Sequence, residues 1–169
     1  MTRGWPRYLA WASRREVLWI SGALSVVLFG LLGTLFPPSV IEPIQGVEAA
    51  RAALENAADR RHVISVLTLD SLFPLAYTTL FCGLLYRSAL FKNRLWVFGL
   101  PMGLCIWDFA ENMQLAALHS GLVPSDSDLV VYAVFFGGVK FALLACILGL
   151  LIVALIVYLR RRRSGAAAG

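Results

Sequence analysis

Four long apolar stretches, separated by polar or turn-forming segments, dominate the pattern of this chain. They cover about 17–36, 63–85, 95–118 and 129–159. Each reaches or exceeds the roughly 20 residues that an α-helix needs to cross the hydrocarbon core of a bilayer. The pattern therefore predicts an all-α fold, a four-helix transmembrane bundle that forms a single integral-membrane domain over residues 1–169.

The segments between the apolar stretches contain further local signals. The longest, 37–62, includes an Ala- and Glu-rich part, 47–58, that predicts a short helix on the outer surface. Gly121 is placed to end the third helix, because glycine readily adopts the left-handed conformation that closes many helices. Serine and aspartate in 125–128 provide capping groups for the fourth helix.

The composition agrees with a membrane protein and not with a nucleic-acid-binding one. The chain is 59% hydrophobic and 15% charged, with a mean hydropathy of +0.75, which is more apolar than ordinary soluble domains. Its formal net charge is +5. The basic residues flank the apolar stretches and do not cover a soluble face, so no nucleic-acid partner is predicted.

The positions of the basic residues predict the topology. They concentrate before the first stretch, between the second and third, and after the fourth, three segments that share one side of a four-helix bundle. These residues are Arg3, Arg7, Arg14, Arg15, Arg87, Lys92, Arg94 and the four arginines at 160–163. Because Lys and Arg are enriched in cytoplasmic loops, both termini are predicted to be cytoplasmic, in a bacterial inner membrane.

The three cysteines indicate that the protein is not a thiol-redox enzyme. Cys82, Cys105 and Cys146 lie singly in three different apolar stretches, without a CxxC pair. Redox enzymes of the membrane need paired cysteines near an aqueous edge. We expect all three to be buried free thiols.

The third apolar stretch carries charged residues at membrane depth. Glu111 and Asn112 follow Asp108 by three and four residues, so all three lie on one helix face. A charge at the bilayer centre costs roughly 2.5 to 3.5 kcal/mol on insertion scales, and such groups usually face a bundle interior or a cavity. This face is therefore the first candidate for a functional site.

The second stretch presents a matching face of Asp70, Pro74 and Tyr77. Proline has no backbone N–H to donate, so Pro74 is expected to free a carbonyl near Leu69 or Asp70 that another group must satisfy. A helical rise of 1.5 Å per residue places Asp70 and Glu111 each about 10 Å from the outer ends of their helices.

The fourth stretch contributes Lys140. The same rise places Asp108 and Lys140 at similar depth, about 15 Å from the outer boundary. We therefore expect them to form a buried ion pair between the third and fourth helices.

Two histidines end helices on the outer side. His62 and His119 are predicted either to form the rim of one opening or simply to lie at the membrane interface. Two histidines are an incomplete ligand set, so neither a metal nor a cofactor is predicted.

Two segments, Asp70-Ser-Leu-Phe-Pro-Leu-Ala-Tyr77 and Asp108-Phe-Ala-Glu-Asn112, together resemble a pattern in small four-helix bacterial membrane proteins. Those proteins are poorly characterised and have no established activity. The resemblance covers mainly the second and third stretches. It implies that Asp70 pairs with Asp108, Glu111 and Asn112, and it implies no reaction.

The observations together predict an intramembrane pocket that binds a lipid or another small amphiphile. Its candidate lining is Asp70, Tyr77, Asp108, Glu111, Asn112 and Lys140. The pattern names no protein partner and no reaction, which leaves enzymatic activity open. Two alternatives stand beside this hypothesis. One is a structural or assembly subunit whose buried charges only fix helix packing, and the other is a component of proton- or ion-coupled transport.

Overall fold

A computed structural model describes residues 4–35, 46–56, 63–64, 67–88, 90–124 and 126–166, and none of these residues lies in a strand. Its helices are α1 (Gly4–Ala12), α2 (Arg15–Leu35), α3 (Gly46–Asn56), α4 (Leu69–Arg87), α5 (Gly99–His119) and α6 (Leu129–Ala166). A short 3-10 turn over Leu95–Phe98 precedes α5. The predicted all-α class is confirmed.

Three of the helices are long and apolar enough to cross a membrane. They are α2 over Arg15–Thr34, α4 over Leu69–Arg87 and α6 over Leu129–Arg160. In α2 and α6 only 11% of the most apolar window is buried inside the protein, so large apolar surfaces face outward. A soluble monomer rarely exposes such surfaces, and the chain is therefore an integral membrane protein.

The fourth predicted span, α5, is less apolar than these three. Its middle carries Asp108, Glu111, Asn112 and Gln114, and it does not reach the hydropathy of the other long helices. It is instead well buried, and Asp108, Glu111 and Asn112 are each less than 5% exposed.

The packing of the long helices places α4 at the centre. It contacts α2 on one side and α5 on the other, while α6 packs mainly against α5 and also touches α4. In the described part of the chain α2 and α6 have no extensive contact with each other. A cleft over α4 therefore opens between them.

The helix α1 is an element that the sequence did not predict. Leu9 and Ala12 are fully buried, and the Tyr8 hydroxyl lies 3.3 Å from Thr79 Oγ1 of α4. The approach is closest at Gly83, where an added Cβ would lie 2.3 Å from the carbonyl oxygen of Ala12. Only glycine fits there without displacing α1.

Several predicted ends agree with the structure. The helix α3 matches the predicted surface helix, and Gly121 follows α5 with φ +72°, the left-handed conformation expected of a terminating glycine. The Ser127 hydroxyl accepts a hydrogen bond of 3.2 Å from the Leu129 N–H at the start of α6. The predicted start at 63 agrees in part: Val63, Ile64 and Leu67 are helical, a turn at Thr68 follows, and α4 begins at Leu69.

The prediction that all three cysteines are buried is wrong for one of them. Cys82 and Cys105 are buried, whereas Cys146 is exposed on α6. Its neighbour Ile147 is the residue that turns inward, with 0% exposure, so Cys146 faces away from the protein. Hydropathy does not distinguish these two faces, because both are apolar.

Candidate functional site

One buried carboxylate joins the three helices α4, α5 and α6. Asp108 of α5 is 3% exposed, and both of its oxygens accept hydrogen bonds. The Tyr77 hydroxyl donates to Oδ2 at 2.6 Å, and Lys140 Nζ donates to Oδ1 at 3.0 Å. Both bonds involve a charged partner, which makes them stronger than neutral ones.

Glu111 is the second carboxylate that reaches Lys140. It lies one helical turn from Asp108, is 4% exposed, and its Oε2 forms an ion pair with Lys140 Nζ. The ammonium group of Lys140 is thus held between two carboxylates of α5. Its positive charge is fully compensated inside the protein.

Asn112 satisfies the backbone group that Pro74 leaves without a donor. In a regular helix the N–H of residue 74 would bond the carbonyl of Asp70, four residues earlier, and proline has no such N–H. The Asn112 side-chain amide donates to that same Asp70 carbonyl at 3.1 Å. This contact joins the two sequence segments that carry the polar pattern.

The Asp70 side chain differs from the other two carboxylates. It is half-buried, and within the described part of the chain neither a hydrogen bond nor an ion pair reaches its oxygens. Asp70 nevertheless lies within electrostatic range of Asp108 and Lys140. Asp70 lies in the first turn of α4, directly after the turn at Thr68.

A cavity of about 310 Å³ lies beside these groups, in the cleft between α2 and α6. Its lining consists of Phe29, Asp70, Phe73, Tyr77, Phe81, Leu104, Asp108, Lys140, Phe141 and Leu144. The polar members belong to the charged cluster, and most of the others are aromatic or aliphatic. Phe29 and Phe141 are 69% and 53% exposed, so the mouth of the cavity faces the surroundings of the helices.

The structure divides the six predicted pocket residues into two groups. Asp70, Tyr77, Asp108 and Lys140 line the cavity. The other two support the lining from behind, Glu111 through its ion pair with Lys140 and Asn112 through its bond to the backbone of Asp70.

Of the two predicted rim histidines, the described residues include His119 only. His119 is 3% exposed at the end of α5, where α3 and α6 also pack, and it is not in the cavity lining. His62 lies outside the described residues. Their role at a rim stays a prediction.

Sequence reasoning predicted Tyr77 but missed the phenylalanines of the lining. Phe73, Tyr77 and Phe81 follow each other at intervals of four residues on α4, and their rings contact with centroid distances of 5.1 and 5.7 Å. Phe29 of α2 adds to this row, with its ring centroid 6.2 Å from that of Phe73. The spacing of four was the available signal, since such residues share one helix face.

The described residues contain no group of three or more His, Cys, Asp or Glu side chains arranged to hold a metal ion. Comparison with known proteins gives no match to a family model, to a curated protein or to a solved structure. The chemistry of the cavity is therefore the basis for a functional assignment.

Proposed function

We propose that this chain is a four-helix membrane protein that binds a small amphiphile in the cavity between α2 and α6. The head group contacts Asp70 and the tail lies among the phenylalanine rings at the mouth. The observation that carries this proposal is the aromatic cavity with one carboxylate, Asp70, that no described residue pairs.

In this proposal α5 is the fourth crossing, and both termini are cytoplasmic. A helix of 21 residues is about 31 Å long, which matches the hydrocarbon core. Its polar residues are buried against α4 and α6, so they add little cost of exposure to lipid. The basic segments then fall on one side, as expected for cytoplasmic segments.

The available partners in the cavity favour a head group that donates hydrogen bonds. Lys140 is already held by Asp108 and Glu111, whereas Asp70 offers two acceptor oxygens. The faces of the surrounding aromatic rings also attract positive charge. An amine head group satisfies both features, a hydroxyl satisfies the first, and a carboxylate satisfies neither.

The size of the cavity limits what it encloses. At about 310 Å³ it lies at the lower end of the roughly 300–1,000 Å³ typical of ligand pockets. It accommodates a head group and the first part of a tail. The exposed positions of Phe29 and Phe141 let the rest of the tail extend into the bilayer.

Three probes of equal chain length test this proposal: dodecylamine, dodecanol and dodecanoic acid. Their binding to the purified protein is measured by native mass spectrometry, for the parent, for Asp70→Asn and for the matched control Asp128→Asn, which changes an exposed loop carboxylate. We expect dodecylamine to bind best. Asp70→Asn should weaken its binding about tenfold, which corresponds to about 1.4 kcal/mol.

The control variant should bind dodecylamine like the parent. Absence of binding by all three probes, or equal binding by the parent and Asp70→Asn, contradicts the proposal. If the parent binds dodecanol and dodecylamine equally well, and Asp70→Asn weakens the binding of both, the pocket stands as proposed. The preference for a charged head group is then wrong.

A structural role for the charged cluster is the second candidate function. It is favoured by the contacts of Asp108 with Tyr77 and Lys140 and by the ion pair of Glu111 with Lys140, which link α4, α5 and α6 as a cluster that fixes helix packing would. Removing one member of a buried ion pair typically costs about 3–5 kcal/mol. If Asp108→Asn unfolds the protein and the parent binds no probe, this second function is the correct one.

Charge transport through one copy of the chain has less support. Next to the cavity, Leu104 and Ile147 are buried and pack with Tyr77, and Leu143 and Leu144 adjoin them. A relay would need polar groups at this level. Apart from Tyr77, the members of this cluster are apolar, which argues against a continuous path through it.

A further inference from the structure

A second depression, separate from the cavity, runs along the outer seam between α2 and α4. It has a volume of about 940 Å³. Gly22, Ala23 and Val26 of α2 and Leu80 and Leu84 of α4 form its apolar floor and walls. We call it the α2–α4 groove. Small residues at its centre keep it shallow and open, which suits an extended chain more than a bulky ring.

Two arginines mark one end of this groove. Arg15 begins α2, Arg87 ends α4, and both belong to the lining of the groove. The register of the two antiparallel helices explains why they meet. An added Cβ at Gly83 would contact Leu18, and one at Gly22 would lie 3.7 Å from Leu80. Continued by one turn, this register brings Arg15 level with Arg87.

The two guanidinium groups have no acidic partner within the described part of the chain. Both residues are exposed, and the ion pairs among the described residues involve Arg51 and Lys140 instead. Two guanidinium groups that line the same end of a groove, neither in an ion pair with a described residue, match a phosphate, which each can bind through two parallel N–H bonds. The charge at this end of the groove therefore selects an anion.

The length of the groove matches one lipid leaflet. From Arg15 to Val27 the lining of α2 covers about 18 Å at 1.5 Å per residue. Half of the roughly 30 Å hydrocarbon core is about 15 Å. When the phosphate is held at the two arginines, an acyl chain can therefore lie along the full length of the groove.

We infer that the α2–α4 groove is a binding site for one anionic phospholipid. Its phosphate contacts Arg15 and Arg87, and an acyl chain packs along Gly22 and Ala23. This site is independent of the proposed amphiphile cavity. Asp70 and Arg87 lie near opposite ends of α4, about 25 Å apart along the helix, so the two head groups would lie in opposite leaflets.

The test compares two lipids with identical acyl chains, phosphatidylglycerol and phosphatidylcholine. Detergent-purified protein is titrated with each lipid, and retained lipid is counted by native mass spectrometry. We expect the parent to retain one phosphatidylglycerol in preference to phosphatidylcholine. The double variant Arg15→Gln/Arg87→Gln should lose about tenfold in affinity for phosphatidylglycerol, a value typical for loss of a charge-assisted contact.

The matched control is Arg14→Gln/Arg94→Gln, which removes two exposed arginines outside the groove lining. It should retain phosphatidylglycerol like the parent. A third variant, Gly22→Leu, fills the groove without changing charge and should weaken both lipids. Three results would each overturn the inference. The first is an equal loss of phosphatidylglycerol affinity in the control, and the second is equal retention of the two lipids by the parent. The third is full retention of phosphatidylglycerol by both Arg15→Gln/Arg87→Gln and Gly22→Leu.

Discussion

At the scale of single residues, the contact between Asn112 and the backbone of Asp70 explains why the two polar segments occur together. Pro74 gives α4 a carbonyl without a helical donor, and Asn112 of α5 supplies the missing N–H at 3.1 Å. Pro74 leaves one carbonyl in need of a hydrogen-bond donor. Asn112 reaches that carbonyl only at one register of α4 against α5. The pair therefore fixes how these helices align.

This explanation predicts that Asn112 and Pro74 are energetically coupled. Asn112→Ala should lower the free energy of unfolding by roughly 0.5–1.5 kcal/mol, since it leaves the Asp70 carbonyl unpaired within the membrane. In a Pro74→Ala background the new N–H of residue 74 can bond that carbonyl, so the same substitution should cost less. Unfolding in mixed detergent, followed by helical circular dichroism, gives the four values of the cycle.

The matched control replaces Asn112 by Ala in a Thr79→Ala background, because Thr79 lies on the same helix without contact to Asp70. That pair should be additive. Additivity of Asn112→Ala with Pro74→Ala as well would contradict the proposed coupling.

The sequence predicted that a carbonyl in α4 needs a donor, but it did not predict which residue donates. The need for a donor near Leu69 or Asp70 follows from the covalent structure of proline alone. The identity of the donor, Asn112, depends on how α5 is rotated against α4. A single sequence does not reveal that rotation. The same limitation concealed Phe29, whose place in the cavity results from the packing of α2 on α4.

At the scale of elements, the close approach of α1 to α4 depends on a single glycine. The position of Gly83 leaves room for the Ala12 carbonyl, and Leu18 also packs there. The fully buried Leu9 and Ala12 complete the interface. This small contact holds the N-terminal helix against the bundle.

Gly83→Ala should therefore detach or shift α1. The new methyl group would meet backbone atoms, which cannot move without moving the helix, so we expect a loss of about 1–3 kcal/mol of unfolding free energy. Hydrogen exchange over Gly4–Ala12 should become faster. Gly149→Ala is the matched control, because nothing lies within 4 Å of its added Cβ. If both variants exchange like the parent, α1 is not held at Gly83.

The elements differ in how well the sequence predicted them. Long apolar runs predicted α2 and α6 closely, because length and hydropathy suffice for helices that are exposed on most of their surface. The helix α1 has only nine residues and was missed, since no apolar run of spanning length marks it. The turn at Thr68, just before α4 begins, was also missed, because the residues on both sides of it are apolar.

At the scale of the whole molecule, the unequal packing of the helices produces both proposed sites. The central helix α4 lines the cavity from Asp70 to Phe81, and its last turn carries the arginine end of the α2–α4 groove. The absence of extensive α2–α6 contact among the described residues opens the cavity sideways. An amphiphile could then enter from the bilayer without crossing an aqueous mouth.

The proposed four-crossing topology makes a prediction about accessibility. In a background without native cysteines, Lys92→Cys precedes α5 and Asp126→Cys follows it, and both positions are exposed. Only Asp126→Cys should react with a membrane-impermeant thiol reagent added outside intact cells, because Lys92 lies on the predicted cytoplasmic side. Permeabilised cells provide the control, in which both should react. Reaction of both in intact cells would mean that α5 does not cross.

Photo-affinity labelling tests the central claim most directly. A dodecylamine carrying a diazirine near its amine is bound to the purified protein, activated by light, and its attachment sites are mapped by peptide mass spectrometry. The account predicts labels at the cavity lining, on Phe73 and Tyr77 of α4 and Phe141 of α6, and their loss in Asp70→Asn. Labels spread over outward apolar residues such as Ile106 and Ile152, which line neither proposed site, and unchanged in Asp70→Asn, would contradict it.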